Sequence, residues 1–286
     1  MLDQAVARAT AVKAFGETIG IAPSDALRVS TRAQPGASRL WVWVQKKGTL
    51  ATQTPMDFVL QLGFGSEQEK VPLNSVRHWD EMGGYSYYWR HSSEFESAED
   101  AAAITVDFAA QSVRRQVEVV LHEDLHAAEP FRSWPFRINE GIVTPLADLA
   151  ALAFFTSRDD RANVEATEAH IQEQRSLSRE LNELVGEMLR LFADRPLATA
   201  RQSALREVRA AAVYSRFFDH HVNDQSPDVL LEAKVSHDWA YYGLYDRVMK
   251  LYEQNGSDIT KLNEIFKNAP SDGADFDKFL RELVAR

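Results

Sequence analysis

Hydrophobic and polar positions alternate in three textures along the chain. Residues 1–20 repeat apolar side chains at helical spacing, with Gly20 placed to end the helix and Ala22-Pro23-Ser24-Asp25 to turn it. Leu40-Trp41-Val42-Trp43-Val44, Phe58-Val59-Leu60-Gln61-Leu62 and Tyr85-Ser86-Tyr87-Tyr88-Trp89 follow as short β-branched and aromatic runs between Gly, Pro and Asn. These predict strands and hairpins, and residues 104–108 read as a further strand. Trp41 and Trp43, two apart, share the strand face expected to meet the core. From about Ala109 apolar residues recur three and four apart, which predicts helices over 113–125, 142–155, 161–192, 197–218, 227–254 and 275–284. Asn255-Gly256 and Ala269-Pro270-Ser271 are the breaks, and the two prolines in residues 129–135 interrupt the rhythm earlier.

This order predicts an α+β protein. Residues 1–130 would carry an N-terminal helix and a small mixed sheet packed on the helix that contains His122, and residues 131–286 would form a mainly helical half. Composition agrees with a folded globule, at 45 % hydrophobic and 26 % charged residues. Lys and Arg number 32 against 42 Asp and Glu, a net charge of −10, so no basic field draws nucleic acid or an anionic membrane. The longest strongly apolar stretch, residues 145–155, contains Asp148 and falls short of the roughly 20 residues of a membrane span, so none is expected. The first twenty residues lack the continuous apolar core of a signal peptide. With no cysteine in the chain, any metal falls to histidines and carboxylates.

The chemistry concentrates at His122-Glu123-Asp124-Leu125-His126, an H-E-x-x-H run inside a predicted helix. Two imidazoles at i and i+4 lie on one face about 5–6 Å apart and can reach a single Zn²⁺, while Glu123 is placed to take a proton from water at the metal. A catalytic zinc takes three protein ligands, and here the third must be His, Glu or Asp. Glu140, in Asn139-Glu140-Gly141, falls fourteen residues after His126 where a returning helix presents it to the same ion. Thr144 shares its helical face and is spaced to hold the Glu140 carboxylate; Asn139 is placed to cap the helix.

At these residues the chain resembles the gluzincin metallopeptidases, and within them the bacterial predicted aminopeptidases. The resemblance rests on Leu121-His122-Glu123-x-Leu125-His126 and Asn139-Glu140-x-x-x-Thr144, and more loosely on two flanks. These are Lys13-Ala14-Phe15 to Gly20 with the first tryptophan strand, and Ala240-Tyr241-Tyr242-Gly243-Leu244 with Asn255-Gly256-Ser257-Asp258. It implies a zincin-like fold, one zinc per chain on His122, His126 and Glu140, and peptide-bond hydrolysis with Glu123 as general base and acid. The substrate implied is a peptide or small protein, and the setting a bacterial envelope if a leader precedes the chain, the cytoplasm otherwise. Tyr241 is the implied oxyanion donor, with Tyr242 and Tyr245 as neighbours. The chain departs from the pattern at Asp124, which would bind a substrate amine or face solvent, and at Ala127-Ala128; Glu129 is a second carboxylate for an amine.

Other polar groups read as structural. Asp219-His220-His221 suits a solvated or capping role, His237-Asp238 an oriented imidazole, and Arg206, Arg209 and Arg216 a basic stripe pairing with Glu207 or other acidic groups. His78, His91 and residues 94–100 read as solvated loop. The alternative to an enzyme is a non-catalytic zinc-binding or scaffold protein retaining the zincin fold, which a fourth protein ligand would mark.

Overall fold

The computed structural model describes residues 1–32, 39–51, 58–62, 83–92, 95, 102–220, 225–270 and 273–284, with 39–40, 58–62 and 91–92 described by backbone alone. His78, His221 and the 94–100 run, apart from Phe95, lie outside the described residues, as does the His91 side chain. In chain order the elements are α1 (Leu2–Thr18), β1 (Arg39–Lys46), β2 (Phe58–Leu62), β3 (Tyr85–Ser92), α2 (Val106–Ala110) and α3 (Val113–Ala127). A 3₁₀ turn (Phe131–Ser133) leads to α4 (Phe136–Thr156), α5 (Arg161–Asp194), α6 (Leu197–Ala210) and α7 (Tyr214–Phe218). The chain then forms α8 (Pro227–Tyr242), α9 (Tyr245–Gln254), α10 (Ile259–Lys267) and α11 (Gly273–Val284). The protein is α+β.

Two compact units interleave in sequence. The first comprises residues 1–35, 94–175 and 244–286, the second 36–93 and 176–243, so the chain crosses between them inside α5. A sequence cut at residue 130 follows neither unit, because α3, the 3₁₀ turn and α4 all belong to the first.

In the first unit α3 packs on α1 and α4. Ala5, Ala9, Val12 and Gly16 form the buried stripe of α1, and their small side chains admit close helix approach. Gly20, at φ +83°, follows the end of α1 in the left-handed conformation a glycine takes without strain. Ser112 caps α3 by accepting from the Arg115 amide. Residue 104 makes an isolated bridge with Ser30, and Thr105 caps α2, so the expected strand over 104–108 is instead a bridge leading into a helical turn. The core helix is α4, which buries Ile138, Ile142, Val143, Leu146, Leu149 and Phe155. By length and composition α4 passes for a membrane span, and 72 % of its apolar window is buried within the protein. It is longer than the 145–155 run that the sequence pattern singled out.

In the second unit β1 sits between β2 and β3, and both pairings are antiparallel, not mixed. The sheet packs on α8 rather than on the helix that carries His122. Trp43 and Tyr88 join the core with Leu177, Leu181 and Met188 of α5 and Leu230 and Leu231 of α8, and Trp41 is half-buried beside them. Val42, Val44 and Tyr87 occupy the other face. Ser86 accepts from the Ala233 amide at 3.0 Å, and Glu232 from the Gly48 amide at 3.0 Å and Arg201 Nε at 2.7 Å, tying sheet to helix.

Two expected helices divide. The 197–218 stretch breaks into α6 and α7, and 227–254 into α8 and α9 at Gly243, where a Cβ would stand 2.6 Å from the Trp239 carbonyl oxygen. Helix α10 arises where only the break at residues 255–256 was expected, with Asp258 accepting from the Thr260 and Lys261 amides.

Candidate metal centre

Helices α3 and α4 of the first unit bring three donors together. His122 and His126 lie one turn apart on α3, and Glu140 projects from the first turns of α4; their ligand atoms fall within 4.8 Å of one another. His122 Nε2 and His126 Nε2 stand 2.8 Å apart, and Glu140 Oε2 is 3.6 Å from the former and 3.4 Å from the latter. Donors bonded at 2.0–2.1 Å to one tetrahedral ion are separated by roughly 3.3 Å, so two nitrogens and a carboxylate at these spacings fit a divalent cation. Side-chain exposures of 19 %, 17 % and 12 % for His122, His126 and Glu140 leave the group reachable while holding it in place.

The electrostatics belong to a group of facing acceptors. Burial and the charge on His126 push His122 down to about 3. Burial opposes charge on His126 as well, but the Glu140 carboxylate beside it, with the charge of Glu123, outweighs it and lifts His126 to about 9. Without a metal, one proton on His126 satisfies the trio near neutrality; a divalent cation would displace it. Asn139 Nδ2 also donates to the Phe131 carbonyl at 2.5 Å, so Asn139 ties the 3₁₀ turn to α4, which starts at Phe136, instead of capping the helix.

Glu123, next to the first histidine, is buried, and its charge acts on His126. Asp124 departs from both roles proposed for it. It is buried, ion-paired to Lys13, and accepts from the Ser24 amide at 2.9 Å and hydroxyl at 2.6 Å, so the amine it binds is the protein's own. Burial lowers the Lys13 ammonium pKa against the pull of Asp124. Thr144 Oγ1 is buried without a hydrogen-bond partner and therefore does not hold Glu140. Glu129 is exposed.

Among the tyrosines, Tyr241 and Tyr242 belong to the second unit, where the Tyr241 ring lies 4.8 Å from His237. Tyr245 belongs to the first unit, but its hydroxyl donates to Asp148 Oδ2 at 2.7 Å. His237 Nδ1 meets Asp238 Oδ1 at 2.9 Å, as the adjacent pair suggested. His220 is exposed, Arg209 pairs with Asp219 at 2.6 Å rather than with Glu207, and Arg206 donates to the Ser203 hydroxyl. Sequence reasoning missed the polar continuation of the α3–α4 pair: Glu118 and Asp148, one turn before His122 and two turns after Glu140, with His170 beside them. The four-residue steps 118-122-126 and 140-144-148 were the available signal. No protein-family model, curated protein or solved structure matches this chain.

Proposed function

We propose that the chain is a zinc-dependent peptidase of zincin-like architecture, aminopeptidase in type, acting on a peptide or small protein with one zinc held by His122, His126 and Glu140. The observation that carries this reading is the convergence of two histidine nitrogens and one carboxylate from two helices within 4.8 Å. Three such ligands match a catalytic rather than a structural zinc, which takes four, and no fourth His or carboxylate joins this group among the described residues. Zinc, when bound, polarises the scissile carbonyl and acidifies water near neutral pH.

The chain's own residues supply the rest. Glu123 takes the proton of the attacking water on its carboxylate and returns it to the departing amine, a role suited to a buried acid beside a ligand. Its burial limits competing water, and Leu125 and Leu121, both buried, fix the helix face that aims it. Asn139 fixes the start of α4, and with it the approach of Glu140, through its bond to the 3₁₀ turn.

The test is hydrolysis of a fluorogenic panel of amino-acid and peptide substrates by zinc-equilibrated wild type and Glu123→Gln. Cleavage that the variant abolishes while keeping its zinc supports the reading. Zinc binding without cleavage of any substrate favours the scaffold alternative, and blocked and free N-termini cleaved alike remove the aminopeptidase assignment.

A further inference from the structure

Away from the metal centre, the first unit holds a cleft of about 550 Å³ between α4, the N-terminal half of α5 and α9. That volume lies within the roughly 300–1,000 Å³ of small-molecule sites. Leu152 and Tyr252, both half-buried, form its walls, and Leu149, Ile171 and Met249, each 4 % exposed or less, close it from beneath. Leu149 and Leu152 follow Glu140 on the same helix by about 14 and 18 Å along its axis, so the cleft is separate from the ligand trio. The turn Asn255-Gly256-Ser257-Asp258 brings Ser257 to the edge of the cleft.

The mouth is acidic. Glu165, Glu168 and Glu253 line it with a single guanidinium, that of Arg175. Arg175 Nε meets Asp246 Oδ1 at 3.2 Å and its NH1 meets Glu253 Oε1 at 2.5 Å, so the charges of Arg175 and Glu253 are matched within the wall. Glu165 and Glu168 are exposed, three residues apart on α5, and make no ion pair or hydrogen bond among the described residues. Burial and the charge of Asp258 push the Tyr252 phenol up, so it lines the cleft as a neutral ring. An apolar floor beneath two unmatched carboxylates complements a molecule with an apolar body and a cationic end; an anion there is repelled.

We propose that this cleft binds a small hydrophobic amine, its apolar body against Leu152, Tyr252 and Met249 and its ammonium between Glu165 and Glu168. Side chains at i and i+3 of a helix are neighbours, about 5–6 Å apart at Cβ, so one ammonium with three donors reaches both carboxylates. The Tyr252 ring suits either end of such a molecule, as an apolar surface or as a face that attracts a cation. Ala169, small and exposed between Glu168 and Ile171, leaves the entrance open. No residue of the metal centre takes part, so the site does not depend on the peptidase reading.

The test is calorimetric titration of the full zinc-equilibrated chain with 2-phenylethylamine. The comparators are 2-phenylethanol, which keeps the apolar body without the charge, and ethylamine, which keeps the charge without that body. One equivalent of 2-phenylethylamine is expected to bind, about ten-fold tighter than either comparator, the worth of one charge-assisted contact. Glu168→Gln should bring the amine several-fold closer to the alcohol, and Ala169→Trp should fill the entrance and abolish binding, with thermal midpoints showing that both variants are folded. Amine and alcohol bound alike overturn the ammonium site. Binding that survives Ala169→Trp puts the amine at the metal or on the general acidic surface and overturns the cleft as its place, as does the absence of saturable binding. Should Ala169→Trp fail to fold, the paired variant Glu165→Gln with Glu168→Gln carries the comparison, and an amine still preferred about ten-fold there overturns the proposal.

Discussion

Each unit gathers histidine and carboxylate side chains, and the two gatherings are built on opposite principles. In the first, His122, His126 and Glu140 turn acceptor atoms towards one another, and a shared proton or a divalent cation reconciles them. In the second, Asp238 is surrounded by donors: Lys234 Nζ, Tyr214 OH at 2.9 Å and His237 Nδ1 at 2.9 Å. That network lies at 6 % exposure or less and is walled by Trp43, Tyr88 and Tyr241, and its members satisfy Asp238 while His237 Nε2 is left without a hydrogen-bond partner. The lesson is that residue type does not separate a binding site from a structural network, whereas the facing of lone pairs and the remaining access to solvent do.

The largest effect expected from this contrast is on turnover. Glu123→Gln should lower hydrolysis by about 10²–10⁴-fold while leaving zinc bound, as measured by rates and metal content on one preparation. In the closed network the loss is of stability instead. Asp238→Asn leaves Lys234 buried beside a neutral amide and is expected to cost about 3–5 kcal/mol in urea unfolding, with the zinc content of the folded fraction unchanged. Zinc lost in proportion to that destabilisation would erase the distinction between the two gatherings.

Acid gives a smaller effect with a defined sign. Burial, beyond the help of Asp238, pushes His237 down to about 4, so between pH 6.5 and 4 the unfolded chain binds a proton that the folded chain refuses. Stability from this group is full above pH 6.5 and fades as pH falls. Wild type should lose about 2–3 kcal/mol more than His237→Gln between pH 7 and 4.5. Parallel pH profiles for the two proteins would mean that the imidazole is not held neutral. The smallest expected effect is at Thr144→Val, which removes a buried hydroxyl with no partner and should change stability by about 0.5 kcal/mol or less without altering zinc content. A fall in zinc affinity there would restore Thr144 as a support of Glu140.

What the sequence disclosed follows how local each signal is. Helix α3 and its start, the stop at Gly20 and the approach of His122, His126 and Glu140 to one another are legible because periodicity, a glycine and an i, i+4 pair act within a few residues. The split at Gly243 was not, although only a residue without a Cβ fits beside the carbonyl of Trp239 four positions earlier. Helix α10 was passed over although Asp258 followed by Ile259, Leu262 and Phe266 is a capped apolar stripe. Asp124 was misread for a deeper reason: its partners Lys13 and Ser24 are about a hundred residues away, and no local pattern joins them. The interleaved units have the same cause, since segments 36–93 and 176–243 meet only through tertiary packing. Tyr241, taken from a weak flank, lies in the second unit, and its contact with His237 gives it a place among the aromatic rings there.

The most direct measurement is zinc content by elemental analysis after equilibration and removal of free metal, on wild type and Glu140→Ala side by side. The account predicts one zinc per chain in the wild type, lost or held at least about ten-fold more weakly in the variant. A wild type without zinc, or equal zinc in both proteins, would contradict it.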